Sequence, residues 1–366
     1  MSETKSIALG ILRSSFLMII CSLQSAQADS YTLQVLHNFQ SNSPSSLVSA
    51  PSGGFYGSTF GGTIFRANNH GEITTLVSFA ADPSGLIVGK DGSIYGVTTF
   101  EFGGSGSVFS VSPDGTVSVL HVFGGEDGVR PWGKLLQGLD GNLYGTTTFG
   151  GSNDLGTVFQ VSTDGRSFSS LYSFTWATGY QPIGSLVQTA DGCIYGTTSL
   201  GEETIYKISP IGNLTIITNL YSVTGSGLAP LTLAHDGSIW AITSSGGIHG
   251  RGAVLKLLTN DLLTLVASFG PNDGSMPRGL IEGADGTFYG VTGRGGKYGL
   301  GTVFKISAQG ALSTIADFDQ STGAPYGPLA QGTNGQIYGV AMFGGQYGSG
   351  TLFRLVGSLK SQSNEP

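Results

Sequence analysis

The chain has 366 residues, of which 61 are glycine, 11% are charged and 39% are hydrophobic. This composition suits many short strands joined by tight turns, and no long stretch has apolar residues at the i, i+3, i+4, i+7 spacing of an amphipathic helix. The net charge of −7 argues against nucleic acid or an anionic membrane surface as a partner. We therefore expect one large all-β domain rather than two average domains.

Residues 1–28 have the layout of a secretory signal peptide. Lys5 and Arg13 precede an apolar run over 14–23, and residues 26–28 (AQA) form a small-x-small cleavage pattern. The run is too short to span a membrane and no second run follows, so we expect a secreted protein, extracellular or periplasmic, with no membrane span. Cys193 would then be the only thiol, and we expect it to fill a small core position without an internal disulfide.

One repeat runs through the rest of the chain and is marked by an aromatic residue followed by a small one. The spacing between successive pairs is 39 to 51 residues. A period near fifty with four strand-length segments is typical of β-propeller blades. The seven pairs are Tyr56-Gly57, Tyr95-Gly96, Tyr144-Gly145, Tyr195-Gly196, Trp240-Ala241, Tyr289-Gly290 and Tyr338-Gly339.

The four segments of a unit are clearest in the third, which reads PWGKLLQG, GNLYGTTT, GTVFQVS and RSFSSLYSF. Asp-Gly or Asn-Gly joins the first two segments in six units, which is a strong hairpin signal. These acids would form a ring, but turn chemistry explains them without a bound ion. Each unit opens at a proline: Pro44, Pro83, Pro131, Pro182, Pro230, Pro277 and Pro325.

The count of segments predicts how the ring closes. The last unit ends with GTLFRLV (350–356) and lacks a fourth segment, while an orphan fourth segment, residues 31–39, precedes the first complete unit. Pairing the two would remove two exposed sheet edges. We expect an all-β, seven-bladed propeller of four-stranded blades over residues 29–357, closed by the N-terminal strand and followed by a polar tail, 358–366.

The units resemble the GloVer tandem repeat of the choice-of-anchor secreted proteins, whose pattern is close to G-x-L-Y-G-T-T-x-x-G-G-x-x-x-x-G-T-V-F. Residues 141–159 (GNLYGTTTFGGSNDLGTVF) and 286–304 (GTFYGVTGRGGKYGLGTVF) match it nearly throughout, and the resemblance covers 31–356. The loop is shortened to Gly61-Gly62 in the first unit and replaced by 201–203 in the fourth. The resemblance implies the fold and export but no established reaction, and the polar tail implies free release or periplasmic residence.

Propellers usually bind ligands on the face that carries the loops from outer to next inner strand and from second to third strand. The residue after each opening proline should lie at the rim of this face, and it varies inside an otherwise regular repeat. Aromatic surfaces with arginine suit sugar rings, whereas loop packing is the alternative explanation. The candidate ligand-binding residues are Trp132, Arg278 and Tyr326 at the rim and Trp176, Tyr180, Tyr298 and His249 in the loops.

The leading interpretation is a monomeric, non-enzymatic propeller that binds an extracellular glycan or protein. A polysaccharide lyase or glycoside hydrolase is the second, and a structural interaction module is the third. A hydrolase needs two carboxylates about 5 to 10 Å apart, whereas a lyase could use His249, Arg251, Arg278 and Tyr298. The acidic candidates on this face are Glu126, Asp127, Asp154, Asp273 and Asp319.

Other site chemistries lack a sequence signal. No His, Cys, Asp or Glu cluster has metal-ligand spacing, and neither a G-x-S-x-G elbow nor a phosphate-binding loop is present. We expect no metal and no cofactor. His37 and His121 hold equivalent positions in fourth segments, and we interpret them as strand-surface residues.

Overall fold

The computed structural model describes residues 31–100, 104–201, 203–220, 225–227 and 230–357, which form seven antiparallel sheets. The sheets are the blades of a β-propeller, and the strands lie side by side in chain order from the channel outward, except that the outermost strand of the seventh blade is the N-terminal strand. The expected signal peptide (1–28) and polar tail (358–366) lie outside the described residues. No helix of the described residues is long and apolar enough to cross a membrane.

Blades 1 to 3 follow the expected segments closely, because the segments are short runs rich in β-branched and aromatic residues and are separated by turns. The chain begins with β1 (Tyr31–Asn38). Blade 1 consists of β2 (Pro44–Ser49), β3 (Phe55–Thr59), β4 (Thr63–Ala67) and β5 (Ile73–Ser78). Blade 2 consists of β6 (Pro83–Val88), β7 (Ile94–Thr98), β8 (Ser107–Val111) and β9 (Val117–Val122). Blade 3 consists of β10 (Val129–Gln137), β11 (Leu143–Phe149), β12 (Thr157–Val161) and β13 (Phe168–Ser173).

Blades 4 to 7 keep the plan, but the inner strand is short in blades 4 and 5 and divided in blade 7, where Pro328 has no amide to donate. Blade 4 consists of β14 (Val187–Gln188), β15 (Ile194–Thr197), β16 (Thr204–Ile208) and β17 (Leu214–Asn219). Blade 5 consists of β18 (Thr232–Leu233), β19 (Ile239–Thr243), β20 (Ala253–Leu257) and β21 (Leu263–Ser268). Blade 6 consists of β22 (Ser275–Glu282), β23 (Phe288–Arg294), β24 (Thr302–Ile306) and β25 (Leu312–Asp317). Blade 7 contains β26 (Ala324–Pro325), β27 (Ala330–Gln331), β28 (Ile337–Phe343) and β29 (Thr351–Gly357).

The ring closes as predicted. β1 pairs antiparallel with β29, from Tyr31 opposite Gly357 to Asn38 opposite Thr351, and becomes the outer strand of blade 7. Leu33 packs against the core between blades 6 and 7, and the amide of Gln346 donates to the Asn38 side chain at 2.8 Å. The two ends of the described chain are therefore joined in one sheet, and the pairing covers the outer edge of β29.

The aromatic-small pair follows from packing inside each blade. Gly57 lies opposite Phe65 on the neighbouring strand, and a Cβ at residue 57 would come within 2.3 Å of the Phe65 ring. The same conflict recurs in the other blades that carry glycine here. Blade 5 has Ala241, and the facing residue is the smaller Leu255. The small residue and the third-strand aromatic are therefore one packing unit.

A second aromatic contact joins neighbouring blades at six of the seven junctions, the exception being blades 4 and 5, where the third strand carries Leu255. The phenylalanine that closes an outer strand packs against the third-strand aromatic ring of the following blade, with centroids 4.6 to 5.5 Å apart. Such pairs stabilise a core beyond the area that they bury. The pairs are Phe39–Phe65, Phe79–Phe109, Phe123–Phe159, Phe174–Tyr206, Phe269–Phe304 and Phe318–Phe353.

The Asp-Gly turns also have a structural role. In blade 3 the Asp140 carboxylate accepts the amide of Asn142 at 3.1 Å and the Tyr144 hydroxyl at 2.8 Å, while Gly141 has a φ of +86°. The same Asx turn recurs in the other blades that carry this dipeptide. Since these motif residues hold the blades together, a binding site must be sought in the loops and the channel.

Candidate ligand-binding face

The two ends of the propeller differ in what they carry. The Asp-Gly hairpins and the turns between third and fourth strands lie at one end, here called the lower face. The loops between second and third strands, and those leading from each outer strand to the next inner strand, lie at the other end, here called the upper face.

Exposed aromatic side chains are confined to the upper face within the part of the chain that the structure describes. Trp176 is 70% exposed and Trp132 is 39% exposed. On the lower face the exposed large side chains are aliphatic, as in Leu139 and Ile211. The upper-face set is Phe100, Trp132, Trp176, Tyr298, Phe343 and Tyr347.

At the channel mouth the structure brings Arg278 and Tyr326 together. The guanidinium carbon lies 5.4 Å from the Tyr326 ring centroid, and Phe60 contacts the same ring edge-on at 5.5 Å. Arg278 lies over Gly293, and a Cβ at residue 293 would be only 2.6 Å from the arginine Nε. The equivalent residue in blade 3 is Thr148. The glycine therefore provides room for the arginine, whose buried Nε has no hydrogen-bond partner among the described residues.

The other loop candidates are spread around the upper face. Trp176 begins a 3-10 turn (Trp176–Thr178) and packs edge-on against Tyr180, with centroids 4.7 Å apart. Tyr298 is exposed, with the Lys297 ammonium 4.9 Å from its ring. His249 is exposed and lies beside Gly270 in the neighbouring loop. These residues share a face, whereas the direct contacts are those of Trp176 with Tyr180 and Arg278 with Tyr326.

The expectation that every residue after an opening proline lies at the rim is wrong at Leu231. This side chain is 5% exposed and belongs to the core between blades 4 and 5. Its blade has the shortened inner strand, which lets the side chain turn inward.

Sequence reasoning also overlooked three residues of this face. Arg130 has a φ of +55°, and its guanidinium lies over the rings of Phe100 and Phe149 at 5.1 and 5.6 Å. Phe343, at the end of β28, is 59% exposed. Phe100 and Phe343 lie at the end of the motif segment, where an apolar residue ordinarily indicates core.

Four of the acidic candidates shape their own loops. Asp127, Asp154 and Asp273 accept backbone amides of Gly124, Gly150 and Gly270 at 2.7 to 2.9 Å. Asp319 accepts hydrogen bonds from the Ser321 hydroxyl and from the amides of residues 321 and 322. These hydrogen bonds lower the pKa of Asp319, and the Ser321 hydroxyl has the largest effect. Glu126 is exposed. The contacts of the four aspartates are those of loop caps.

Two histidines thought to lie on the strand surface are half-buried between elements. His121 stacks on Phe168 of the next blade with centroids 3.5 Å apart, and its Nε2 lies 2.7 Å from an Asp127 oxygen. Burial lowers the pKa of His37. Cys193 is buried, and burial raises the pKa of its thiol. The described residues contain no group of three His, Cys, Asp or Glu side chains placed to hold a metal ion.

A shallow groove of about 490 Å³ lies against the outer strands of blades 4 and 5 and extends to the lower-face turn that carries Asp261. Its wall includes Leu255, which stands where the other blades have a large aromatic ring. Asp261 on the same wall accepts a hydrogen bond from Tyr195 and binds Lys207 at 3.3 Å. The groove therefore coincides with the one blade junction at which the third-strand aromatic is replaced.

The fold is similar to solved propellers of varied function. A streptogramin B lyase structure aligns with a TM-score of 0.68 at 16% identity, covering 89% of this chain and 98% of that chain. YCF48 bound to D1 peptide aligns with a TM-score of 0.61 at 14% identity, covering 93% and 98%. The extracellular domain of a hybrid two component system from B. thetaiotaomicron aligns with a TM-score of 0.61 at 14% identity, and this chain spans 41% of it. At these identities the likeness shows the fold alone.

No curated protein matches the chain by sequence. The model of the Gloeobacter/Verrucomicrobia repeat matches residues 20–203 and again 201–362. The match includes the motif segments whose packing is described above and confirms the resemblance seen in the sequence. The chain is a member of the Gloeobacter/Verrucomicrobia repeat family.

Proposed function

We propose that the protein is an exported, ligand-binding propeller that recognises an extracellular glycan through its upper face. The observation that carries this proposal is the confinement of the exposed aromatic side chains to that face. Core packing cannot account for side chains such as Trp176, which contacts Tyr180 but leaves most of its surface in solvent. Exposed aromatic side chains that share one face, while the opposite face exposes aliphatic ones, favour an interaction site on that face.

A sugar ring fits this surface because its C–H face packs on an aromatic ring while its hydroxyls bond to polar groups at the edge. Arg130, Arg278 and Lys297 each lie against an aromatic ring of the face and can donate such hydrogen bonds. The aspartates of the loops are engaged with backbone amides, which favours binding over hydrolysis as the role of this face.

A protein surface is the alternative ligand, and one similar structure, YCF48, is bound to a peptide. The test is a glycan array probed with wild type, Trp132→Ala and Trp176→Ala. Each variant should lose several-fold in affinity for the same glycan with an unchanged melting temperature. Ile211→Ala removes an exposed apolar side chain from the lower face and serves as the control. No glycan bound by wild type, or equal binding by all four proteins, would contradict the proposal.

A further inference from the structure

The walls of the central channel have a charge opposite to that of the whole protein. Between the opening proline and the hairpin turn, the seven inner segments contain only three charged residues, Lys134, Arg278 and Glu282. Glu282 lies at the lower end, where it accepts the His235 amide at 2.7 Å and binds the His235 ring at 2.9 Å. The upper and middle parts of the channel wall therefore carry two cations and no acid, in a chain with a net charge of −7.

Lys134 is placed in the channel by a bulge in the inner strand of blade 3. The inner strands of blades 2 and 6 shift register against their neighbours by one residue, whereas β10 shifts against β11 by two residues between Trp132 and Leu136, because the blade 3 segment is one residue longer. A bulge re-aims a side chain out of the regular alternation. Leu135 and Leu136 pack into the cores on either side of the blade, whereas the Lys134 side chain is exposed.

Lys134 belongs to the inner segment of blade 3, which lines the central channel. Its amide donates to the Ser185 hydroxyl at 3.2 Å, which holds the bulge against the inner segment of blade 4. Although the side chain contacts solvent, burial by the surrounding protein lowers the pKa of its ammonium. No carboxylate of the described residues forms an ion pair with it.

Arg278 lies on the opposite wall, since blades 3 and 6 are three positions apart in a ring of seven. Its guanidinium rests on Tyr326, and the buried Nε has no acceptor among the described residues. Guanidinium and ammonium groups without a counter-charge, both partly removed from bulk water, attract anions more strongly than surface cations do. Carboxylate is the anion that a glycan most simply supplies, as a uronic acid.

We propose that the channel mouth binds the carboxylates of an acidic, uronate-containing glycan through Arg278 and Lys134, with Trp132 beside Lys134 as the stacking surface. This inference rests on the proposed function and names the class of its ligand. Uncharged sugar residues would lie on the aromatic side chains farther from the axis, and the charged residue would occupy the mouth.

The experiment titrates wild type with trimers of galacturonate, mannuronate and guluronate and with their methyl esters, which keep the sugar but remove its charge. At least one acid should bind about tenfold or more tightly than its ester, as expected for a lost charge-assisted hydrogen bond. Lys134→Gln and Arg278→Gln should each lower the affinity for the acid by a similar factor and change the affinity for the ester little. Arg278→Lys retains the charge and should recover part of the loss.

Lys90→Gln and Arg166→Gln are matched controls, because both residues are exposed at lower-face turns and each change removes one positive charge. Equal binding of acid and ester, or equal losses in Lys134→Gln and Lys90→Gln, would overturn the inference. If in that case neutral glycans still bind and Trp132→Ala weakens their binding, the proposed function is retained and only the inference about uronates fails. If no glycan binds in any form, both proposals fail.

Discussion

Replacing Gly57 by alanine tests the packing unit on which the repeat depends. The backbone of Gly57 is outside the positive-φ region, so alanine meets no conformational penalty there. Its Cβ would, however, lie 2.3, 2.7 and 2.8 Å from three atoms of the Phe65 ring, far inside the 3.5 to 4 Å of a favourable carbon contact. Phe65 is 1% exposed and packs against Phe39, so the ring has little room to move. We expect a loss of about 1–3 kcal/mol in the free energy of unfolding, as for other overpacked cores.

The second change, Phe65→Leu, should compensate, because blade 5 already combines Ala241 with Leu255 in the same register. Phe65→Leu alone should destabilise the protein by loss of ring contacts. In the Gly57→Ala background the same change should cost much less, which gives a favourable coupling energy of about 1–3 kcal/mol. Urea denaturation followed by tryptophan fluorescence measures all four proteins. If the losses in the free energy of unfolding of the two single variants add up to that of the double variant within about 0.5 kcal/mol, the packing explanation of the aromatic-small pair is refuted.

Three further predictions concern closure, pH and the upper face. Deleting residues 29–39 removes β1 and exposes the edge of β29, so we expect aggregation or a fall of roughly 10 °C or more in melting temperature; a deletion protein that melts like the intact one would contradict the closure. The Ser238 side chain, the Ser238 amide and Lys256 hold the pKa of Asp236 at about 2, below its ordinary value. This carboxylate therefore contributes stability above about pH 4 that is lost as the pH falls toward 2. Asp236→Asn should be less stable than wild type in urea denaturation at pH 7 and equal to it near pH 2, whereas a difference independent of pH would show that charge is not involved. Phe100→Ala, which removes an exposed ring in contact with Arg130, should weaken glycan binding several-fold without changing the melting temperature, and undiminished binding would limit the site to the other aromatics.

Much of the fold could be predicted because the repeat shows the same physical constraint seven times. The opening prolines and the Asp-Gly turns delimit the inner segments, the aromatic-small pairs identify the second strands, and the orphan segment 31–39 indicated the closing pair with β29. The irregular inner strands of blades 4 and 5 could not be predicted, since the local sequence does not show how neighbouring inner strands crowd one another at the axis. Leu231 was misplaced for this reason.

The candidate site was less accessible to sequence reasoning. Trp132 and Arg278 stood out because they break the repeat at one position, but the additional residue at Lys134 carries no sign of the direction in which its side chain points. A one-residue insertion in a strand either shifts the register or forms a bulge, and the choice depends on contacts such as that with Ser185 of the next blade. The loop-capping role of Asp154 depends likewise on a backbone path that sequence does not give.

Acrylamide quenching of tryptophan fluorescence tests the upper-face site most directly, because the protein contains three tryptophans in two different environments. Trp132 and Trp176 are exposed on the upper face, whereas Trp240 is 1% exposed and stacked on Phe288. With the best-binding glycan of the array at saturation, quenching should fall toward that of a Trp132→Phe/Trp176→Phe protein, in which only Trp240 is left. Quenching that is the same with and without the bound glycan would show that the ligand binds elsewhere on the propeller.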